Sequence, residues 1–306
     1  MRRRTILLLG TMLVALWVAS VSLPPTRPAS AAIDTGTYAT ATATLNLRSG
    51  AGTGHSIVRV IPYGGQVYVS AGPYDGVWYQ ATYRGSSGYV HGGSLTQSRA
   101  VTITQLDTSR KVVALTFDAG SDAGYAARIL DTLKANRVKA SFGMTGQWAE
   151  AHPALLRRMV SEGHTVMNHT YSHPSFTGYS TGTAPLSYQQ RADELWKTES
   201  AVQRIAGAST KPYFRPPYGD YDASVLADVY TRGYKYNVMW STDSLGWKGY
   251  TKQQILQRVL DGRKPGAVYL FHVGSQSQDG PALQSIISEL RMRGYGFVTI
   301  NGFYHR

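Results

Sequence analysis

The sequence predicts a small all-β barrel followed by a larger α/β domain built on a parallel sheet. Three observations predict it. Between residues 37 and 96, short alternating apolar stretches are separated by glycine turns. From residue 111 onward, apolar runs alternate with amphipathic stretches of helical period. Residues 98–110 between them are polar and read as a linker.

Ahead of both parts lies a targeting segment. Arg2, Arg3 and Arg4 form a positive n-region, and Ile6 to Leu23 form an apolar h-region. Pro24, Pro25 and Pro28 break any helix before Ala29-Ser30-Ala31, a small-residue cleavage pattern. The apolar run is near the length that spans a bilayer, so an uncleaved anchor is the competing reading. The proline break and the small residues favour cleavage after Ala31, which implies secretion and no stable membrane insertion of the mature chain. Removing the first 31 of 306 residues leaves 275, enough for one large domain and one small one. The leader carries four arginines and no acid, so the formal charge of +13 falls to about +9. A basic secreted protein is drawn to anionic surfaces such as a bacterial wall or an acidic glycan. No Lys/Arg cluster or reader motif points to nucleic acid. Cysteine is absent, so any metal site must use His, Asp or Glu.

In the first part, Thr42 to Arg48 alternates and the turn Ser49 to Gly54 follows. Ile57 to Ile61, a turn at Pro62-Tyr63-Gly64-Gly65, and Gln66 to Val69 come next. Val77 to Tyr83, the hairpin signal Gly85-Ser86-Ser87-Gly88, and Tyr89-Val90-His91 complete the series. Closely spaced strands with glycine turns make a small barrel. Trp78, Tyr79 and Tyr89 either line a groove or fill its core. The string from Leu45 to Leu95 resembles the bacterial SH3-like domain, which assigns residues 32–97 to that family. The resemblance implies a module that holds wall enzymes to peptidoglycan, or a spacer with no ligand.

In the second part the expected strands are Val112–Asp118, Lys139–Thr145, His164–Thr170, Tyr213–Pro217, Lys235–Ser241, Ala267–His272 and Phe297–Ile300. Helices are expected at Tyr125–Asn136, Ala154–Glu162, Ser187–Ala206, Ala223–Arg232, Lys252–Asp261 and Pro281–Arg293. Ser187 with Gln190 reads as a capping box, and Ala192, Leu195, Val202 and Ile205 fall largely on one stripe. The alternation fits a parallel sheet closed or nearly closed into a barrel, and equally an open doubly wound sheet.

Polar residues terminate the apolar runs, where the chemistry of parallel α/β folds collects. Asp118 ends the first, His169 the third and His272 the sixth; Arg215 sits in the fourth and Asp243 just beyond the fifth. His169 and His173, four apart, offer two imidazole lone pairs to a divalent cation. Capping or local pairing accounts for Asp118 or Asp243 singly, and poorly for the whole set.

Thr116-Phe117-Asp118-Ala119-Gly120, His169-Thr170-Tyr171-Ser172-His173, Arg215-Pro216-Pro217-Tyr218-Gly219, Asp243-Ser244-Leu245-Gly246-Trp247 and Leu270-Phe271-His272 follow one another in order. With these motifs, residues 111–306 resemble the polysaccharide deacetylases of carbohydrate esterase family four. The resemblance implies a distorted (β/α)7 barrel and a hydrolase of linear amide C–N bonds that removes acetyl groups from glycans. It implies a divalent metal on His169 and His173, Zn²⁺ first with Co²⁺, Ni²⁺ or Mn²⁺ as alternatives. Asp118 would be the general base, held ionised by Arg215. The Tyr218 backbone N–H would stabilise the oxyanion, and His272, aligned by Asp243, would protonate the leaving nitrogen. Trp247 and Leu270 would form the slot for the acetyl methyl, with ordinary core packing as the alternative.

Two positions depart from the family pattern. Where the family has a metal-binding aspartate this chain has Ala119, whose methyl cannot coordinate; Asp122, three residues on, is the expected substitute. Gly246 stands where the family often has an acid. The expected substrate is peptidoglycan, with chitin oligomers and acetylated xylan as alternatives. The rival class is a non-catalytic wall-binding protein in which Ala119 marks a decayed site.

Overall fold

The computed structural model describes residues 32–304; the leader expected over residues 1–31 lies outside the described residues. The alternation near the N-terminus folds as a seven-stranded antiparallel sheet. Its order is Ile57–Ile61, Leu45–Arg48, Ser86–His91, Trp78–Tyr83, Gln66–Tyr74, Thr37–Ala41 and Leu95–Gln97. Every second residue of Thr37–Ala41 turns inward, as a pleated strand requires. Leu47, Ile61, Val67, Val69, Ala81 and Val90 close the core. Trp78 and Tyr79 are buried, and the Tyr79 hydroxyl accepts the Ile33 N–H at 3.2 Å. Two of the three aromatics considered for a groove therefore belong to the interior. Tyr89 is half-buried, edge-on to Tyr74 with ring centroids 5.6 Å apart.

Residues 98–110, read as a linker from their polarity, join the larger domain. Val101–Ile103 lies parallel to Tyr236–Val238 as the last strand of its sheet. Ala100 N–H donates to Leu226 O at 3.0 Å, and Leu106 N–H to Gly266 O at 2.8 Å. Ile103 and Leu106 are buried. A three-residue strand carries too little alternation to show in a polar sequence, so its pairing partners define it. The small barrel also touches this domain directly, through Gln66 Nε2 to the Tyr230 hydroxyl at 2.6 Å and Thr37 Oγ1 to Ala227 O at 3.4 Å.

The main sheet is parallel throughout. Its order is Thr242–Asp243, Val268–His272, Val112–Ala119, Ser141–Met144, Thr165–Asn168, Tyr213–Phe214, Tyr236–Val238 and Val101–Ile103. Gly296–Phe297 pairs with the start of Val112–Ala119. The order does not return to its first strand, so the distorted barrel is a curled parallel sheet. Phe117 stacks between Phe142 and Phe271 on the adjacent strands, with centroids 5.3 Å away on both sides.

The helices fall within two residues of the sequence expectation: Ala126–Ala135, Pro153–Ser161, Tyr188–Ala206, Ala223–Thr231, Lys252–Asp261 and Asp279–Met292. The Ser187 capping box forms, and Gly207 ends the same helix at φ 62°. Apart from Val112–Ala119, the strands are shorter than their expected runs. Tyr213–Phe214 stops after two residues, because Pro216 and Pro217 have no N–H to extend a ladder.

A chain starting at residue 107 loses the edge strand and the buried Ile103 and Leu106 side chains. It should unfold with a free energy about 3–6 kcal/mol below that of a chain starting at residue 98. Urea titration checks this; equal midpoints would mean that the segment is a linker after all.

Candidate active site

Asp118 sits on the sheet one residue from the end of its strand, and His272 lies beside it in register on the next strand. Asp118 is 7% exposed, and its Oδ1 accepts Arg215 Nη1 at 2.7 Å. Gly143 on the other neighbouring strand makes this possible, since a Cβ there would lie 2.7 Å from Oδ1. Arg215 is fully buried. Its remaining donors go to Val238 O at 2.7 Å, Thr116 Oγ1 at 2.9 Å and Met239 O at 3.3 Å. Burial by itself pushes the Asp118 carboxyl upward; the Arg215 charge, aided by His169 and His272, outweighs it and holds the group below its ordinary value.

His169 follows directly on Thr165–Asn168, and its Nδ1 is 2.9 Å from Arg215 O. A carbonyl only accepts, so Nδ1 carries the proton and Nε2 presents a bare lone pair. Nε2 lies 3.6 Å from Asp118 Oδ2. Burial pushes His169 down, and burial, with the neighbouring His169 imidazole acting the same way, pushes His173 down to about 4. Both rings are therefore neutral at neutral pH, with centroids 4.8 Å apart. The loop is pinned from behind. Glu194 accepts Tyr171 N–H and Ser172 N–H, each at 2.8 Å, and Asn168 Oδ1 accepts Thr170 N–H at 2.9 Å. Asn168 and Glu194 escaped the sequence reading, since one looks like a strand residue and the other like an ordinary helix-face acid.

A neutral imidazole lone pair facing a carboxylate oxygen is two acceptors in search of a positive charge. That juxtaposition fits a divalent cation at His169 and His173. It does not fit Asp122. Both Asp122 oxygens accept from Ser275, its N–H at 2.9 Å and its hydroxyl at 2.5 Å, and these bonds hold its carboxyl below the ordinary value. Ser275 offers two donors close at hand, so the carboxylate turns to them. Ala119 is fully buried in the apolar core. Among the described residues, no cluster of three or more His, Cys, Asp or Glu side chains is arranged to hold a metal.

These groups open onto a cavity of about 550 Å³, lined also by Tyr218, Asp243, Trp247 and Leu270. Tyr218 adopts φ 61° at the rim. Asp243 is not brought to His272. Its Oδ1 accepts Leu245 N–H at 2.9 Å and its Oδ2 accepts Trp247 Nε1 at 3.1 Å, so it shapes the tryptophan loop. The carboxylate beside His272 belongs to Asp279, whose Oδ2 accepts the His272 N–H at 2.8 Å and lies 3.9 Å from Nδ1. In sequence Asp279 is an acid opening a helix, which reads as favourable helix-dipole placement and nothing more. Leu270 is buried, while Trp247 is 52% exposed.

A family model described as polysaccharide deacetylase matches residues 105–237, and one described as bacterial SH3 domain matches residues 43–96. A peptidoglycan-N-acetylglucosamine deacetylase of Bacillus cereus is 36% identical over 195 residues, covering 63% of this chain and 68% of the relative. The peptidoglycan-N-acetylmuramic acid deacetylase PdaA of Bacillus subtilis is 35% identical over 198 residues, covering 64% and 72%. Its solved structure, a family 4 carbohydrate esterase, superposes with a TM-score of 0.59 over 65% of this chain and 83% of that one. BA3943 from Bacillus anthracis, described as a CE4 family pseudoenzyme, also superposes with a TM-score of 0.59, at 28% identity over 69% of this chain and 70% of that one.

Removing Arg215 strands a buried carboxylate, and Arg215→Met should cost about 3–5 kcal/mol at pH 7. The low folded-state value of Asp118 contributes stability above its unfolded value of about 3.9, lost as pH falls through the folded value. The deficit of the variant should therefore shrink below about pH 4. Denaturant titrations at both pH values check this, and a pH-independent deficit would contradict it.

Proposed function

Because the chain belongs to the polysaccharide deacetylase family, we propose that it hydrolyses N-acetyl groups on peptidoglycan amino sugars. The observation that carries this reading is the ionised Asp118 facing the neutral His169 at 3.6 Å on an open cavity. Its relatives from Bacillus cereus and Bacillus subtilis support peptidoglycan over chitin oligomers or acetylated xylan.

His169 and His173 would hold the divalent cation, Zn²⁺ in the first instance, leaving other positions to water and substrate. When bound, it supplies Lewis-acid polarisation of the acetyl carbonyl and a more acidic water. Asp118, kept ionised by Arg215, takes the proton of the attacking water through Oδ2. The Tyr218 N–H, at the cavity rim, donates to the oxygen that gains charge as the carbonyl becomes tetrahedral. As the C–N bond breaks, its electron pair stays on the sugar nitrogen, and His272 gives that nitrogen a proton. Asp243 fixes Trp247, which with Leu270 forms the apolar wall for the acetyl methyl.

The leader and the charge favour secretion and wall association, and the SH3 match favours a wall ligand for the small barrel. Among the described residues, no helix is long and apolar enough to cross a membrane. Among the described residues no third ligating group joins His169 and His173, and this, with the likeness to BA3943, supports one other reading: a wall-binding protein without turnover.

Amine release from purified peptidoglycan, measured with metal content, separates the two. The enzyme reading expects retained metal and free amine, lost in His169→Ala. Asp118→Asn should keep metal while kcat falls about 10²–10⁴-fold. Wild-type kcat in Asp118→Asn would refute the base assignment, and glycan binding with neither metal nor amine release would favour the second reading. Removing residues 32–97 should spare activity on soluble oligomers and weaken it on whole wall; equal loss on both would mean that the barrel is structural.

A further inference from the structure

We propose that Asp279, and not Asp243, is the positioning residue that orients the His272 imidazole toward the cavity, an inference that rests on the deacetylation reading for its catalytic meaning. Asp279 is fully buried at the start of the helix Asp279–Met292. Its Oδ2 accepts the His272 N–H at 2.8 Å and the Ser277 hydroxyl at 2.7 Å. Those bonds fix the carboxylate against the end of the strand Val268–His272. His272 is the one basic side chain within 4.0 Å of it among the described residues, with Nδ1 3.9 Å from Oδ2. His272 Nδ1 is itself buried and has no hydrogen-bond partner among the described residues.

A buried imidazole nitrogen without a partner thus lies beside a buried carboxylate oxygen, and an Nδ1–H···Oδ2 bond after a small rotation of the ring satisfies it. That bond places the proton on Nδ1 in the neutral ring and leaves Nε2 to face the cavity that His272 lines. In the charged ring both nitrogens carry protons, and Nε2–H is the one released to the leaving nitrogen.

Gly246 is the second half of the arrangement. A Cβ at 246 would lie 2.7 Å from Asp279 Oδ1 and closer still to Ser277 Oγ. The Asp279 carboxylate thus occupies the space that any side chain at position 246 would need. Gly246 does not adopt a positive φ, so glycine there is required by this contact rather than by the backbone. Asp243 is not the orienting group: its oxygens accept Leu245 N–H and Trp247 Nε1, and among the described residues the carboxylate within 4.0 Å of a His272 ring nitrogen is that of Asp279.

The test is ¹⁵N NMR of the imidazole of His272 in the chain of residues 32–306, compared with Asp279→Ala, Gly246→Ala and Asp243→Ala, alongside steady-state kinetics. The proposal expects wild type to hold the Nδ1–H tautomer, and Asp279→Ala to lose it with kcat at least tenfold lower and KM within twofold. Gly246→Ala, which keeps the aspartate but displaces it, should do the same, so a folding defect of one variant does not decide the matter. Asp243→Ala should leave the tautomer unchanged. An unchanged tautomer in both Asp279→Ala and Gly246→Ala, or a changed one in Asp243→Ala, overturns the proposal. If the tautomer shifts as expected while wild type releases no amine from peptidoglycan, the positioning stands and the deacetylation reading falls.

Discussion

The ion pair between Arg215 and Asp118 is the constraint on which the rest of the site depends. A fully buried guanidinium must satisfy its donors inside the protein, and these reach Asp118, Thr116, Val238 and Met239. They tie together the strand that carries Asp118 and the strand Tyr236–Val238 with the residue that follows it. The same residue acts a second time through its backbone, where Arg215 O receives His169 Nδ1. One side chain therefore sets the charge of the carboxylate, and one carbonyl sets the tautomer of the imidazole opposite. The facing of Asp118 Oδ2 and His169 Nε2 is a product of both.

Around that centre the backbone is held in unusual conformations. Thr170 and His173 both have φ 66°, Tyr218 has φ 61° and Leu245 has φ 59°. Non-glycine residues in the left-handed region persist only where surrounding bonds over-determine them. Glu194 and Asn168 supply those bonds for the histidine loop, and Asp243 supplies them for the tryptophan loop. The side chains that line the cavity are thus carried on loops stiffened from behind. Such stiffening keeps a constellation in place without help from substrate.

Most of the fold is legible in the sequence because the helices are amphipathic and well punctuated. Lys252–Asp261 begins and ends where its pattern says, behind a Thr251 capping box. The strand Val101–Ile103 is invisible for the opposite reason, since its hydrogen bonds are all to distant segments. The short helix Gly146–Ala151 is capped by Thr145, yet it is too brief to establish a period. Asp118, His169, Arg215 and His272 are legible in the site because each ends or interrupts an apolar run, and His173 because it stands four residues from His169. Asp122 misleads because proximity in sequence says nothing about competing donors, which Ser275 provides, and Asp243, assigned to His272 by resemblance, meets Leu245 N–H and Trp247 Nε1 instead. Asp279 is hidden because its partner lies seven residues earlier, across a turn whose path no local pattern gives.

The central claim is that a buried carboxylate stays charged beside neutral imidazoles because a buried arginine holds it so. Carbon-13 NMR of the Asp118 carboxyl through an acid titration measures this directly. The account predicts that the carboxylate signal persists below the ordinary midpoint of 3.8. Protonation at or above that value would mean that burial, not Arg215, governs the group.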